Sequence, residues 1–178
     1  MARVERYGPG DEAKDFVPGD FILAHRRRFI AGLISLAQKR RFRGTDAVYA
    51  HWSHVAVIVE KDGAVVEAEM TGVKLSPISK YRDDEYHLVR LGPEFASDAR
   101  ARAAAYAKGR VGQGFGYLDL FGAILYLLFG WPLRLVRRNH EICSGLVVRA
   151  LQAGGQVPEL DPELTLPADL AKLFDIRP

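Results

Sequence analysis

The single cysteine, Cys143, stands at the start of an apolar pattern with helical spacing. In the segment CSGLVVRALQA, residues 143–153, apolar side chains recur on one helix face, and Gly154-Gly155 follows. A thiol in the first turn of a helix faces unpaired N–H groups and the positive end of the helix dipole, which favour the thiolate. This position predicts a nucleophile, although a lone cysteine is more often a small buried apolar residue.

A histidine suited to act as a base, His54, opens the first strand of a predicted β-hairpin. The segments SHVAVIVE (residues 53–60) and AVVEAE (residues 64–69) have strand-type composition and flank a turn at Asp62-Gly63. A side chain at the end of a strand projects beyond the sheet, towards a helix terminus. His54 is therefore the candidate general base for Cys143, although an isolated histidine is more often a core or surface residue.

The third polar residue is a glutamate on the returning strand, and its position depends on the length of the hairpin loop. A four-residue loop, 60–63, sets Glu67 opposite Ala56 and diagonal to His54 on the same face. A two-residue loop keeps Glu67 on this face but moves it one residue pair further away, and a three-residue loop turns it to the other face. Glu67 is the expected partner of His54, and Glu69, which has the same parity along the strand, is the alternative.

The remaining pattern predicts an α+β domain whose small, antiparallel sheet holds the hairpin. The predicted elements are a strand at Phe21–Ala24 followed by a helix whose apolar face includes Phe29 and Ala37, strands at 73–75 and 86–91, and helices at 97–108, 118–129 and 167–174. Ser97 is the expected N-cap of its helix, and Gly109 is the expected end.

Length and composition favour one globular domain, residues 18–178, after a charged lead at residues 1–17. The chain has 178 residues, of which 48% are hydrophobic and 26% charged, and this excludes the disordered and coiled-coil classes. The net charge of +3 is only mildly basic. One cysteine rules out an intramolecular disulfide framework.

The N-terminal sequence lacks the form of a secretory signal, so we expect a cytoplasmic protein, with peripheral membrane contact as an alternative. Seven Lys or Arg residues lie in the stretch 26–43, and an uncharged apolar run covers residues 120–133. The run is shorter than the roughly 20 residues of a membrane span. A solvated basic face and a buried core helix are the preferred interpretations, and contact with an anionic membrane surface is the other.

Metal, cofactor and nucleic-acid functions have little support in the sequence. His51 and His140 lie near the candidate base and nucleophile, but the spacing typical of zinc ligands is missing. His25 and His87 are expected to be ordinary surface residues. The basic stretch has no accompanying aromatic platform, so we expect no nucleic-acid partner. No cofactor and no metal are expected.

Several motifs together resemble a known family. HWSHVAVIVEKDGAVVEA resembles the histidine strand-turn-strand element of the NlpC/P60 and papain-like cysteine hydrolases, and EICSGLVVRALQAGG resembles their nucleophile helix. Here the histidine precedes the cysteine, which is the order of the circularly permuted branch that contains the YiiX/YaeF-like and lecithin:retinol acyltransferase-like proteins. PGDFILA, GQGFGYLDL and TLPADLAKL resemble further segments of that branch, so the resemblance spans residues 18–173.

The resemblance implies a circularly permuted, papain-like NlpC/P60 fold in which the sheet packs against helices that include the nucleophile helix. It also implies that Cys143 is the nucleophile, His54 the base, Glu67 the third polar residue and Tyr117 an active-site tyrosine. This trio predicts an acyl-thioester intermediate on Cys143. The Cys143 N–H and the Tyr117 hydroxyl are the expected donors to the oxyanion.

Three functions stay open at this point. The first is a cysteine hydrolase, of amidase or peptidase type, that cleaves an amide or ester, with a cell-wall peptide as the leading substrate. The second is a lipid acyltransferase or acylhydrolase working at a membrane surface. The third is a non-catalytic binding module with the same fold. The sequence does not determine the oligomeric state.

Overall fold

A six-stranded antiparallel sheet is central to the residues that the structure, a computed structural model, describes: 2–26, 29–116 and 140–178. Its strands are β1 (Arg3–Tyr7), β2 (Phe21–His25), β3 (His54–Ile58), β4 (Ala64–Glu69), β5 (Gly72–Pro77) and β6 (Glu85–Arg90). They lie in the order β1-β6-β2-β3-β4-β5. A separate parallel pair consists of β7 (Gly114–Phe115) and β8 (His140–Glu141).

Helices cover this sheet, so the mixed α+β class expected from the sequence is confirmed. The described α-helices are α1 (Phe29–Arg41), α2 (Ser97–Lys108), α3 (Cys143–Ala153) and α4 (Pro167–Leu173). Two 3-10 segments, Gly44–His51 and Ile78–Tyr81, precede β3 and β6 respectively. The helix α3, which begins at the candidate nucleophile, packs against α2, β3 and β4.

Both faces of the central strand β3 are buried. Val55 and Val57 belong to the apolar cluster that includes α3, whereas Ala56 and Ile58 belong to a cluster around Tyr81 on the other side of the sheet. A continuous apolar run suits a strand that is covered on both faces. Each such buried Val or Ile side chain contributes about 1.5–3 kcal/mol to folding. The position of His54 at the start of this strand is therefore well determined.

The hairpin has the four-residue loop that sets Glu67 on the face of His54. Val57 lies opposite Val66, and the N–H of Val59 donates to the carbonyl of Ala64 at 2.9 Å. Gly63 adopts a positive φ of 88°, a conformation that side chains other than glycine rarely take. Asp62-Gly63 thus lies in the turn, as predicted, and the structure selects the four-residue loop from the lengths that the sequence left open.

The lead at residues 1–17, expected only as a charged segment, contributes an edge strand to the sheet. β1 pairs with β6, with Val4 opposite Val89, and Glu5 forms a 2.8 Å ion pair with Arg90. Charged side chains are common on edge strands, where they discourage further pairing. The same charges interrupt the apolar alternation by which a strand is recognised in a sequence, so β1 was not predicted. The sheet therefore has one strand more than expected.

The helix at 97–108 has the predicted bounds, but its N-cap prediction is wrong by one residue. Ser97 is the first helical residue, and Ala96 occupies the cap position without a side-chain hydrogen bond. Here the Arg100 side chain bonds the Phe95 carbonyl at 3.0 Å, so the helix start is held by this contact. Gly109 is the C-cap, as expected. The helix predicted at 118–129 lies outside the described residues.

A buried glutamine ties the chain before His54 to two helices. The side-chain amide of Gln38 in α1 donates to the Trp52 carbonyl at 2.8 Å and accepts from the Ala168 N–H at 2.9 Å. Trp52, also fully buried, donates through its indole nitrogen to the Ile176 carbonyl at 2.9 Å. These bonds hold the segment that leads into β3, and through it the start of that strand.

Replacing Gln38 with leucine should destabilise the protein. The substitution keeps the side-chain volume but leaves the Trp52 carbonyl and the Ala168 N–H unpaired inside the core. We expect the free energy of unfolding, measured by urea titration, to fall by about 3 kcal/mol. Lys39→Leu, at the exposed neighbouring position of α1, is the control and should change it by less than about 0.5 kcal/mol. Equal losses in the two variants would contradict the role assigned to Gln38.

Candidate active site

His54 and Glu67 form a buried pair between adjacent strands. The Nε2 atom of His54 lies 2.9 Å from Oε2 of Glu67, and both residues are buried. A carboxylate only accepts, so Nε2 carries the proton of this bond, and Nδ1 is left for a second partner. The contact predicted from the four-residue loop is therefore present in the fold.

Cys143 meets the same imidazole from the opposite part of the fold. It is the first residue of α3, after an extended Ile142, which matches the first-turn position expected from the sequence. Its side chain lies next to the His54 imidazole, close enough for the interaction between them to raise the pKa of His54. The residue is 6% exposed. The structure thus brings Cys143, His54 and Glu67 together in one row, with His54 in the middle.

The electrostatics of this row favour a protonated histidine beside the thiol. Burial by itself lowers the pKa of His54, but hydrogen bonds with Cys143 and Glu67 and the charges of both groups outweigh it and raise that pKa to about 9. Burial opposes ionisation of Glu67 as well. Hydrogen bonds from His54, Lys80 and Tyr81 nevertheless hold the pKa of Glu67 well below its usual range.

The two residues after Cys143 determine how the start of α3 packs. The Ser144 hydroxyl donates to the Thr165 carbonyl at 2.7 Å, which ties the helix to the loop before α4. At Gly145 a Cβ atom would lie 2.7 Å from the Pro162 carbonyl oxygen, closer than real Cβ contacts. The successive residues Cys143, Ser144 and Gly145 therefore supply a thiol, a hydrogen bond to the loop before α4, and room for the backbone of that loop.

Behind Glu67 lies a buried ion cluster, which we define by its members: Arg26, Glu67, Glu69, Lys80, Tyr81 and Asp84. Lys80 donates to Oε1 of Glu67 at 2.6 Å, and the Tyr81 hydroxyl donates to Oε2 at 2.7 Å. Glu69, the alternative partner for His54, bonds Arg26 at 2.9 Å and Lys80 at 2.8 Å. Glu67 is thus the carboxylate that faces His54, and Glu69 lies in the layer behind it.

Sequence reasoning did not identify four members of the ion cluster as site residues: Arg26, Lys80, Tyr81 and Asp84. Arg26 continues the alternation of Ala24, which pairs with His54 across β2 and β3, so extension of the predicted strand would have found it. Lys80 and Tyr81 lie in a 3-10 segment with no periodic signal. Their approach to Glu67 follows only from the path of the chain after β5.

The basic stretch 26–43 does not form one exposed surface, so the expectation of a solvated or membrane-facing stretch is wrong for its first member. Arg26 is only 7% exposed and bonds Asp84 at 3.1 Å, because it ends the buried strand β2 rather than joining the helix. Arg41, at the end of α1, forms a 2.9 Å ion pair with Asp169.

Two other histidines, His87 and His25, make contacts within the fold. His87, expected at the surface, is 3% exposed, because it lies in β6 against the Trp52 ring at 4.4 Å, and burial lowers its pKa to about 4. His25 donates through Nδ1 to the His51 carbonyl at 2.7 Å. Among the described residues, no group of three or more His, Cys, Asp or Glu side chains is arranged to hold a metal ion.

Two features named in the sequence analysis lie outside the described residues: Tyr117 and the apolar run 120–133. The role of Tyr117 as an oxyanion donor stays a prediction, and so does the choice between a buried and a membrane-facing run. Within the ranges that are described, no helix has both the length and the apolar character needed to cross a bilayer.

Comparisons with protein families and with curated proteins give no relative whose site residues could be carried over to this chain. The sequence matches no model of a known protein family, and no curated protein matches it. The chemistry of the row formed by Cys143, His54 and Glu67 must therefore be argued from its own geometry.

The close approach at Gly145 predicts a marked effect of a single methyl group. Gly145→Ala should lower the free energy of unfolding by about 1–3 kcal/mol, because the Pro162 carbonyl or the start of α3 must shift. Gly32→Ala is the matched control: Gly32 is exposed in α1 with no atom within 4 Å of its Cβ position, so alanine should stabilise by about 0.5–1 kcal/mol. Urea unfolding of both variants tests this difference in sign.

Proposed function

We propose that the protein is a cysteine-dependent hydrolase of amidase or peptidase type, which cleaves an amide or ester through an acyl-thioester on Cys143. One observation carries the proposal: the buried row in which His54 bonds the Glu67 carboxylate and lies next to the Cys143 thiol. A thiol, an imidazole and a carboxylate in this order are the groups that nucleophilic acyl transfer needs. A single buried structural cysteine would need neither partner.

In the proposed reaction, the Cys143 thiolate and the His54 imidazolium are the resting state. The thiolate attacks the substrate carbonyl, and the resulting tetrahedral oxyanion accepts a hydrogen bond from the Cys143 N–H at the helix start, where N–H groups have no intrahelical acceptor. His54 then donates its proton to the leaving amine or alcohol. The now neutral His54 takes a proton from a water molecule, which attacks the thioester; release of the acid product restores the Cys143 thiolate and the His54 imidazolium.

The raised pKa of His54 supports this assignment of protons. With a pKa of about 9, the imidazole keeps its proton at neutral pH and has it ready for the leaving group. Glu67, which stays ionised, stabilises the charged ring and fixes its orientation through Nε2. A binding module with no chemistry would have no need of a buried, charged pair whose formation costs desolvation energy.

The arrangement of elements also supports kinship with the circularly permuted NlpC/P60-like hydrolases. The histidine strand precedes the nucleophile helix along the chain, and the antiparallel sheet packs against that helix. On this basis a peptide-type amide, such as a cell-wall peptide, is the leading substrate class. The assignment rests on the resemblance of the motifs and on this order of elements.

Substitutions in the row test the proposal. Cys143→Ala should abolish the release of amine from cell-wall peptide fragments, with little change in Tm, and Cys143→Ser should be nearly inactive because a hydroxyl ionises far less readily. His54→Ala should lower the rate by about 10²–10⁴-fold. Glu67→Ala should lower it less, by about 10–100-fold, because water can partly replace an orienting group.

The matched control for these variants is His51→Ala, which removes an imidazole from a neighbouring part of the chain and should leave the rate near that of the wild type. Intact mass after brief incubation with substrate should reveal an added acyl group on the wild type and none on Cys143→Ala. Full turnover by Cys143→Ala, or an inactive His51→Ala beside an active His54→Ala, would contradict the assignment.

A second candidate function, acyl transfer or hydrolysis on a lipid at a membrane surface, is favoured by one face of α1. Leu36 is 63% exposed, and the exposed Lys39 and Arg40 lie three and four positions further on, so the three side chains share a helix face. An apolar side chain among basic ones is typical of helices that bind anionic bilayers. The same catalytic row would then act on an acyl ester.

Vesicle flotation distinguishes the two substrate classes. With anionic vesicles at low salt, basic contact by α1 should give binding worth about 1 kcal/mol per basic residue, and Lys39→Glu should weaken it. Lys108→Glu, on α2, is the charge-matched control and should have no effect. Binding that high salt abolishes indicates the basic surface alone, salt-resistant binding favours a lipid substrate, and no binding favours the peptide amidase.

A further inference from the structure

Two carboxylates on one face of β4 are joined by two cations behind the catalytic row. The ammonium group of Lys80 lies 2.6 Å from Oε1 of Glu67 and 2.8 Å from Oε2 of Glu69. Nη1 of Arg26 lies 2.9 Å from Oε1 of Glu69 and 3.7 Å from Oε2 of Glu67. Each cation therefore bridges the carboxylate that touches His54 and the carboxylate that does not.

The groups that face His54 and Glu67 come from every element packed around them. They are Cys143 in α3, Arg26 after β2, Glu69 in β4, Lys80 and Tyr81 in the second 3-10 segment, and Asp84 before β6. Tyr81 stays neutral, because burial and the Glu67 charge raise its pKa well above the ordinary value. Within the described part of the chain, the ions of the cluster are three carboxylates and two cations.

Of the two cations in this cluster, Lys80 is the one whose charge can be changed with less disturbance of the packing. Its side chain is 25% exposed, whereas Arg26 is nearly buried and lies over the Tyr81 ring at 5.2 Å. Ser76 is a further neighbour of its ammonium group, at 3.5 Å. Because Glu67 is fully buried, the Lys80 charge acts on it with little screening by solvent.

We propose that Lys80 and Glu69 are positioning residues of opposite effect, which together set how much negative charge His54 faces and so the pH range in which its imidazole stays protonated. The inference rests on the proposed function, in which that proton is delivered to the leaving group. Neither residue touches the reacting atoms, since both act through Glu67. The proton on His54 is thus controlled from a layer behind the catalytic row.

The sign of each effect follows from the charge that is removed. Loss of the Lys80 cation makes the surroundings of His54 more negative, which favours the imidazolium and raises the pKa of His54. Loss of the Glu69 carboxylate makes them less negative and lowers that pKa. If Lys80 and Glu69 had only a structural role, removing either charge would lower the stability of the protein, and the pKa of His54 would not move in opposite directions.

The experiment is an NMR titration of the His54 ring in protein labelled with ¹⁵N-histidine, with the signal assigned from His54→Ala. The wild-type midpoint is expected at about pH 9. Lys80→Met should move it up by about one pH unit and Glu69→Gln down by about one. Lys80→Arg, which keeps the charge, should stay at the wild-type midpoint.

A remote ion pair supplies matched controls for both charge changes. Lys108 and Glu60 form a 2.5 Å pair beyond the far end of β3, about 20 Å along the strand from His54. Lys108→Met and Glu60→Gln remove the same charges, and salt screens them over that distance. Both should leave the His54 midpoint unchanged.

The inference would be overturned if the His54 midpoint were the same in Glu69→Gln as in Glu60→Gln. It would also be overturned if Lys80→Met and Glu69→Gln moved the His54 midpoint in the same direction. If Lys80→Met does not fold, Glu69→Gln alone tests the inference, because the His54 midpoint in that variant must be lower than in the wild type. The titration needs no substrate, so its result is separate from that of the proposed function. If Cys143→Ala keeps its turnover, the proposed function is wrong. If turnover depends on Cys143 but the His54 midpoints do not move, only this inference is wrong.

Discussion

The hydrogen bond between His54 and Glu67 is the constraint around which the rest of the site is arranged. It joins adjacent strands, and it exists only because the hairpin loop has four residues, since a loop one residue shorter would turn Glu67 to the other face. Once formed, it directs Nε2 of His54 to Glu67 and leaves Nδ1 for the thiol. The start of α3 completes the row by bringing Cys143 to that side.

Burying this bond has a cost that the surrounding residues must offset. An ionised carboxylate inside a protein loses its hydration, and without compensating bonds it would take up a proton. Glu67 instead accepts from His54, Lys80 and Tyr81, so its charge is retained. The positions of Lys80 and Arg26 beside Glu67 therefore follow from the need to compensate a buried, charged carboxylate.

Cys143, the proposed nucleophile, is held by a different kind of interaction, which is mainly packing. Gly145 admits the Pro162 carbonyl, and the Ser144 hydroxyl bonds the Thr165 carbonyl, so the loop before α4 presses on the start of α3. Gln38 links α4 to the segment before His54. The C-terminal elements therefore stabilise both the helix that supplies the thiol and the strand that supplies the imidazole.

The sequence by itself determined the features that depend on short-range pattern: the hairpin with its Asp62-Gly63 turn, and Cys143 at a helix start. It left open the hairpin register, so the face that His54 and Glu67 share was decided by the structure. Alternation and turn chemistry act over a few residues, so they can be read locally. Only the tertiary structure decided the burial of Arg26 and His87, the ion pairs of Lys80 with Glu67 and Glu69, and the pairing of the charged first strand. Those outcomes depend on partners far along the chain, and a charged side chain carries no local sign of whether it will meet water or an opposite charge.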